Sequence, residues 1–143
     1  MKKIFMALAL ATSLTMPCFA DEDKADGLNV IVTSGEPQTQ MMSMVLSMMT
    51  IEKLNKKVNM VLCDKAGTLA LKDSDSPVVK AMDASPKQVM QQLISKGMDV
   101  KLCPLYLPSI GKDESVLIKG VEVADPAKVA ARLLNKNFNI LSY

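Results

Sequence analysis

The stretch "LISKGMDVKLCPLYLPSIG", residues 93–111, decides how the rest of the chain is read. A helical end at Leu93–Lys96 stops at Gly97, the residue that most easily takes the left-handed turn closing a helix. "MDVKLC" (Met98–Cys103) follows as a short apolar strand whose last residue is a cysteine. Pro104 has no amide hydrogen and a fixed φ, so the chain turns away immediately beyond that sulfur.

Working outward, Ser85-Pro86-Lys87-Gln88 begins the preceding helix with a serine cap, proline in the first turn and a glutamine reaching back. Upstream, "GLNVIVT" (Gly27–Thr33) and "VNMVLC" (Val58–Cys63) read as buried strands. Thr39–Lys57 lies between them, free of Gly and Pro, with Met41, Met44, Met48 and Ile51 at helical spacing. Thr68–Leu71 is a short apolar turn, and "KDSDSPVVKAMDASP" (Lys72–Pro86) reads as loop. Downstream, "VLIKGVEVA" (Val116–Ala124) is a fourth strand, Asp125-Pro126 caps a helix through Lys136, and "FNILSY" (Phe138–Tyr143) closes with a fifth. Short apolar strands alternating with helices predict an α/β domain, a three-layer α/β/α sandwich around a five-stranded parallel sheet. No internal repeat or low-complexity segment interrupts it.

The N-terminus stands apart. "MKKIFMALALATSLTMPCFA" places Lys2 and Lys3 before an apolar run, Ile4–Met16, and ends in Pro17 and the small Ala20. That is the layout of a secretory signal, with cleavage expected after Ala20. The run is about 13 residues, short of the roughly 20 that span a bilayer. Met16 and Pro17 before Cys18 do not suit a lipoprotein signal. The expected product is exported and periplasmic, with residues 1–20 removed, a flexible tail over 21–26 and one domain over 27–143.

Removing the leader takes Cys18, Lys2 and Lys3, so of 17 basic residues 15 remain against 15 acidic ones. A near-neutral chain offers no electrostatic footprint for nucleic acid or an anionic membrane, and neither is an expected partner. There is no histidine, which excludes Ser–His and Cys–His nucleophile pairs and imidazole metal sites. Arg132 is the lone arginine, a poor start for a guanidinium clamp on phosphate. The chemistry left is that of thiol, thioether, carboxylate, amine and hydroxyl.

In parallel sheets, reactive groups gather beyond the carboxyl ends of the strands. Cys103 ends the third strand there and Cys63 ends the second. An exposed thiol at such a turn becomes a nucleophile if amide dipoles or a lysine lower its pKa; the bland alternative is that both cysteines are small buried hydrophobes. If the two strands are neighbours, about 4.8 Å apart, a disulfide is within reach, and closing the loop would contribute roughly 4 kcal/mol in the chain-entropy model. A domain with a proper α/β core does not require that staple, and the pairing stays open.

Methionines crowd "QMMSMVLSMM" (Gln40–Met49), with Met41, Met44 and Met48 on one helix face and Met42 and Met49 on another. Thioether and thiolate are soft ligands, so Met41 with Cys63 and Cys103 is a candidate Cu(I) set; core packing explains the methionines equally well. With no charge from Thr39 to Ile51, the stripe Gln40, Ser43, Ser47, Thr50 is expected to contact another subunit. The loop "TSGEPQTQ" (Thr33–Gln40) lacks any phosphate-loop spacing. Glu36, with Met41, Met42 and Pro104, is placed at a pocket rim, and no cofactor is expected.

On the segments "GLNVIVT", "VLCDKAGTLAL", "LISKGMDVKLCPLYLPSIG" and "LIKGVEVADPAKVAARLLNKNFNILSY", the chain resembles the DsrE/DsrF-like family, in its small exported branch, over nearly all of Gly27–Tyr143. The third segment is the most specific. The resemblance implies a five-stranded parallel sheet, assembly as a trimer or hexamer, and a sulfur-relay role shared with donor or acceptor proteins. In that role the cysteine after the third strand, here Cys103, takes up sulfur as a persulfide, with Cys63 as a supporting or resolving partner. This would be a sulfurtransferase-like carrier without classical turnover. The competing expectations are a non-catalytic module binding Cu(I) or a small sulfur compound, and a structural oligomer with inert cysteines.

Overall fold

The strands alternate along their length between residues that are sealed and residues that are not, and the alternation sets the layers. In the computed structural model, which describes residues 25–143, the strands are β1 (Gly27–Val32), β2 (Lys57–Leu62), β3 (Asp99–Leu102), β4 (Val121–Val123) and β5 (Phe138–Ser142). All pairings are parallel, in the order β4-β3-β2-β1-β5. The expected α/β fold with a five-stranded parallel sheet is therefore present. The export signal expected over residues 1–20, and most of the tail after it, lie outside the described residues. Asp26, expected in that tail, is instead tied to the sheet: its amide donates to the Asn137 carbonyl at 2.7 Å and its carbonyl accepts from the Lys57 amide at 3.1 Å.

One sheet face carries Val30, Val32, Val58, Met60, Leu62, Val100 and Leu102, all buried. Helices α1 (Pro37–Glu52) and α2 (Pro86–Ser95) pack on it and on each other. Helix α2 starts as its sequence predicts, with the Ser85 hydroxyl accepting from the Gln88 amide and the Gln88 side chain accepting from the Ser85 amide. Two orphan amides are satisfied at once.

The other face has Asn29, Asn59 and Asp99 in register, and among the described residues one short helix, α4 (Pro126–Leu133), covers it. Right-handed crossovers require this placement, because the connection from β4 back to β5 runs against the direction of the earlier ones. The contacts are polar: Asn29 Nδ2 donates to the Arg132 carbonyl at 2.7 Å, and the Arg132 guanidinium pairs with the Asp99 carboxylate. No residue of α4 is buried.

Three differences from the expected elements have local causes. The first helix ends at Glu52, followed by Asn55 in the left-handed region at φ 52°. The fourth strand shrinks to Val121–Val123, because Leu117 instead bridges antiparallel to Leu71. A short helix, α3 (Tyr106–Ser109), follows Cys103 where no helix was expected. Among the described residues, no helix is long and apolar enough to cross a membrane.

Candidate functional site

Beyond the paired Leu62 and Leu102, the ladder continues for one more step. The Cys63 amide donates to the Val32 carbonyl at 2.8 Å, and the Cys103 amide to the Leu62 carbonyl at 2.8 Å. Cys63 and Cys103 are thus side by side at the carboxyl edge of neighbouring strands. Side chains alternate across a strand, so both sulfurs lie on the opposite side from the sealed leucines, which is why both are half-buried. Both are free thiols.

Each strand then turns sharply. After Cys63, Asp64 takes the left-handed conformation at φ 47°, which Asp tolerates better than most residues, and opens a 3₁₀ helix, Asp64–Ala70. After Cys103 and Pro104, the Tyr106 amide donates back to the Cys103 carbonyl at 3.0 Å. The two turns pack through Gly67. A Cβ there would stand 2.5 Å from the Tyr106 ring, so only glycine lets the aromatic ring lie against this backbone. Gly35 does the same for the stem of Lys65, whose Cβ would be 2.9 Å from a Cβ at Gly35.

Between the turns lies an open cleft of about 480 Å³, lined by Cys103, Asp64, Lys65, Thr68, Tyr106 and the short helix that follows. Cys103 lines it; Cys63 does not. Burial, then the negative charge of the neighbouring Cys103 sulfur, its hydrogen bonding to the thiol and the charge of Asp64 push the Cys63 thiol from its ordinary 9.0 up to about 11. Cys63 therefore keeps its proton at neutral pH. Burial, with the charge of Asp64, also raises the Tyr106 phenol, which stays a hydrogen-bond donor. The cleft thus offers one thiol, a lysine, a phenol and a hydroxyl.

The sequence-expected residues separate here. Cys103 and Cys63 are brought together. Glu36, Met41, Met42 and Pro104, expected at the rim, are not among the residues lining this cleft. Glu36 is the exposed residue before α1, and Pro104 is half-buried in the turn. Met42 is 51 % exposed on the outer side of α1, whereas Met41, at 3 %, is sealed in the core beside Met44. Helical periodicity decides this: the step from one residue to the next carries Met42 past the edge of the buried side that holds Gln40, Met41, Ser43 and Met44. Sealing Met41 removes a thioether from the candidate Cu(I) set. Among the described residues, no group of three or more Cys, Asp or Glu side chains is placed to hold a metal. The residues missed from sequence are Asp64, Lys65, Thr68 and Tyr106; the close pair Ala66-Gly67 was the available signal for a tight approach there.

No protein-family model matches the chain, and no curated protein matches it. Solved structures do. The YchN protein of E. coli superposes with a TM-score of 0.67 at 23 % identity, over 82 % of this chain and 99 % of that one. MTH1491 of Methanobacterium thermoautotrophicum, a protein of unknown function, gives 0.60 at 12 % identity over 82 % and 97 %. BT1422 of Bacteroides thetaiotaomicron, likewise of unknown function, gives 0.58 at 15 % over 82 % and 95 %. At such identities the likeness concerns the fold: this chain has the fold of YchN.

Proposed function

We propose that this chain is a DsrE-like sulfur-handling protein in which Cys103 accepts sulfane sulfur as a persulfide. The observation that carries the reading is the position of Cys103, a free thiol lining a cleft beyond the carboxyl end of β3. In the step, the Cys103 thiolate attacks the sulfane sulfur of a polysulfide or persulfide, R–S–S–H. A new S–S bond forms, the old one breaks, and R–S⁻ leaves with the electron pair. Lys65 offers a positive charge to an anionic donor in the same cleft. Export to the periplasm, self-association and exchange with a donor or acceptor protein belong to the same proposal.

The test uses Cys63→Ser, which leaves Cys103 as the one thiol of the described domain. After incubation with inorganic polysulfide, its intact mass is expected to rise by one sulfur, and Cys63→Ser/Cys103→Ser is expected to show no gain. A gain that survives loss of Cys103 refutes the reading.

The adjacency of two free thiols favours one alternative, a module that holds Cu(I) between Cys63 and Cys103 without turnover. A Cu(I) competition titration separates it: binding tighter than that of the double serine variant supports the module, and equal binding removes it.

A further inference from the structure

We propose that Cys63 discharges a sulfur loaded on Cys103: the two cysteines close to a disulfide and the added sulfur leaves as hydrosulfide. This rests on Cys103 being the acceptor, as proposed above, and adds a reductive half-reaction to it. The basis is the unequal placement of two adjacent thiols. They follow the Leu62–Leu102 pair in register, yet of the two only Cys103 lines the cleft. A donor in the cleft therefore meets Cys103, and the sulfur it leaves occupies space that Cys63 does not line. Cys63 remains beside the inner sulfur, the Sγ of Cys103. Attack there makes a disulfide, whereas attack on the outer sulfur would only move the persulfide.

The step balances without an outside oxidant. Cys103–Sγ–S⁻ and Cys63–Sγ–H become Cys63–Sγ–Sγ–Cys103 and HS⁻. The Cys63 sulfur bonds to Cys103 Sγ, the Sγ–S bond breaks with its pair on the outer sulfur, and the Cys63 proton leaves with that sulfur. Both cysteine sulfurs are oxidised and the sulfane sulfur is reduced to sulfide. Neighbouring parallel strands are about 4.8 Å apart, inside the separation a disulfide bridges. Only a thiolate attacks, and Cys63 holds its proton up to about pH 11, so the attack is coupled to passing that proton to the outer sulfur as it leaves. Resetting the pair then requires a dithiol reductant.

The reduced protein is loaded with inorganic polysulfide, freed of excess reagent and followed by intact mass and sulfide release without added thiol. The wild-type chain is expected to end two hydrogens lighter than its reduced form and to release sulfide. Cys63→Ser is expected to keep one extra sulfur and release sulfide at least about tenfold more slowly until a thiol is added. Cys63→Ala, with circular dichroism to verify folding, is expected to repeat that result. If the wild type holds its extra sulfur as long as Cys63→Ser does, or if Cys63→Ser sheds sulfide at the wild-type rate, the discharge is overturned and the acceptor role stands. If Cys63→Ser gains no sulfur at all, the acceptor role has failed and the discharge with it.

Discussion

Cys63 and Cys103 have the same side chain, the same strand position and the same half-burial, yet only Cys103 lines the cleft, and the roles proposed for them differ on that ground. Cys63 is expected to titrate at about 11, and in Cys103→Ser to move down toward the ordinary 9.0 without reaching it, since burial and Asp64 remain. Ultraviolet absorbance of the thiolate measures both. The linkage follows: the unfolded chain ionises this thiol first, so the stability it contributes is full below about 9 and is lost as pH rises toward 11. Gly67 sets the other wall. Gly67→Ala is expected to displace Tyr106, to cost about 1–3 kcal/mol as an overpacked contact does, and to slow sulfur loading of Cys103. A denaturation midpoint and a loading rate equal to wild type would show that the ring is not held there.

At the scale of the element, α1 buries more of its surface within the chain than its sequence expectation: Met41 and Met44 are in the core, and the polar stripe is buried with them. The stripe Gln40, Ser43, Ser47, Thr50, expected to meet another subunit, is buried within the chain. Its hydroxyls are satisfied inside the helix: Ser43 Oγ donates to the Gln40 carbonyl, Ser47 Oγ to the Ser43 carbonyl, each at 2.7 Å, and Thr50 Oγ1 to the Leu46 carbonyl at 2.8 Å. Self-satisfied hydroxyls cost little to bury and leave small side chains where the helix packs on α2 and the sheet. Ser47→Ala is therefore expected to change stability by no more than about 1 kcal/mol, and Ser47→Leu to cost about 1–3 kcal/mol through overpacking; chemical denaturation separates them. The outward side is apolar instead, with Met42 and Leu46 exposed and Val45 and Met49 half-buried. A second copy of the chain is the partner that the self-association proposal places there. Met42→Lys/Leu46→Glu is expected to lower the sedimenting mass without lowering the thermal midpoint; an unchanged mass would put the contact elsewhere.

Across the whole molecule, the two faces of the sheet are held by different forces. One is an apolar seal under α1 and α2, and the other is a polar clasp in which Asp99 meets Lys101 at 3.1 Å and Arg132 of α4. Burial raises the Asp99 carboxyl, but the hydrogen bonds and charges of Lys101 and Arg132 more than offset it, so its pKa falls below 3.8. The unfolded chain then takes up this proton first, and the stability Asp99 contributes is present above 3.8 and lost as pH falls through the lower folded value. Asp99→Asn is expected to flatten that acid limb of the stability curve and speed amide exchange in α4. An unchanged acid midpoint would mean the clasp contributes nothing.

How much of this was legible in the sequence follows from the range of each interaction. The apolar runs, Gly97, the Ser85–Gln88 box and the Asp125–Pro126 cap act over a few residues, so the sequence by itself determined the strands, the helices, the parallel sheet and the placing of Cys63 and Cys103 at strand ends. Which face of α1 turns inward, the Asp64–Lys65–Tyr106 walls of the cleft and the short helix after Cys103 were decided by tertiary structure alone. They depend on residues far apart in the chain, such as Gly67 and Tyr106, packing against each other; the local pair Ala66-Gly67 signals a close approach but not which residue makes it.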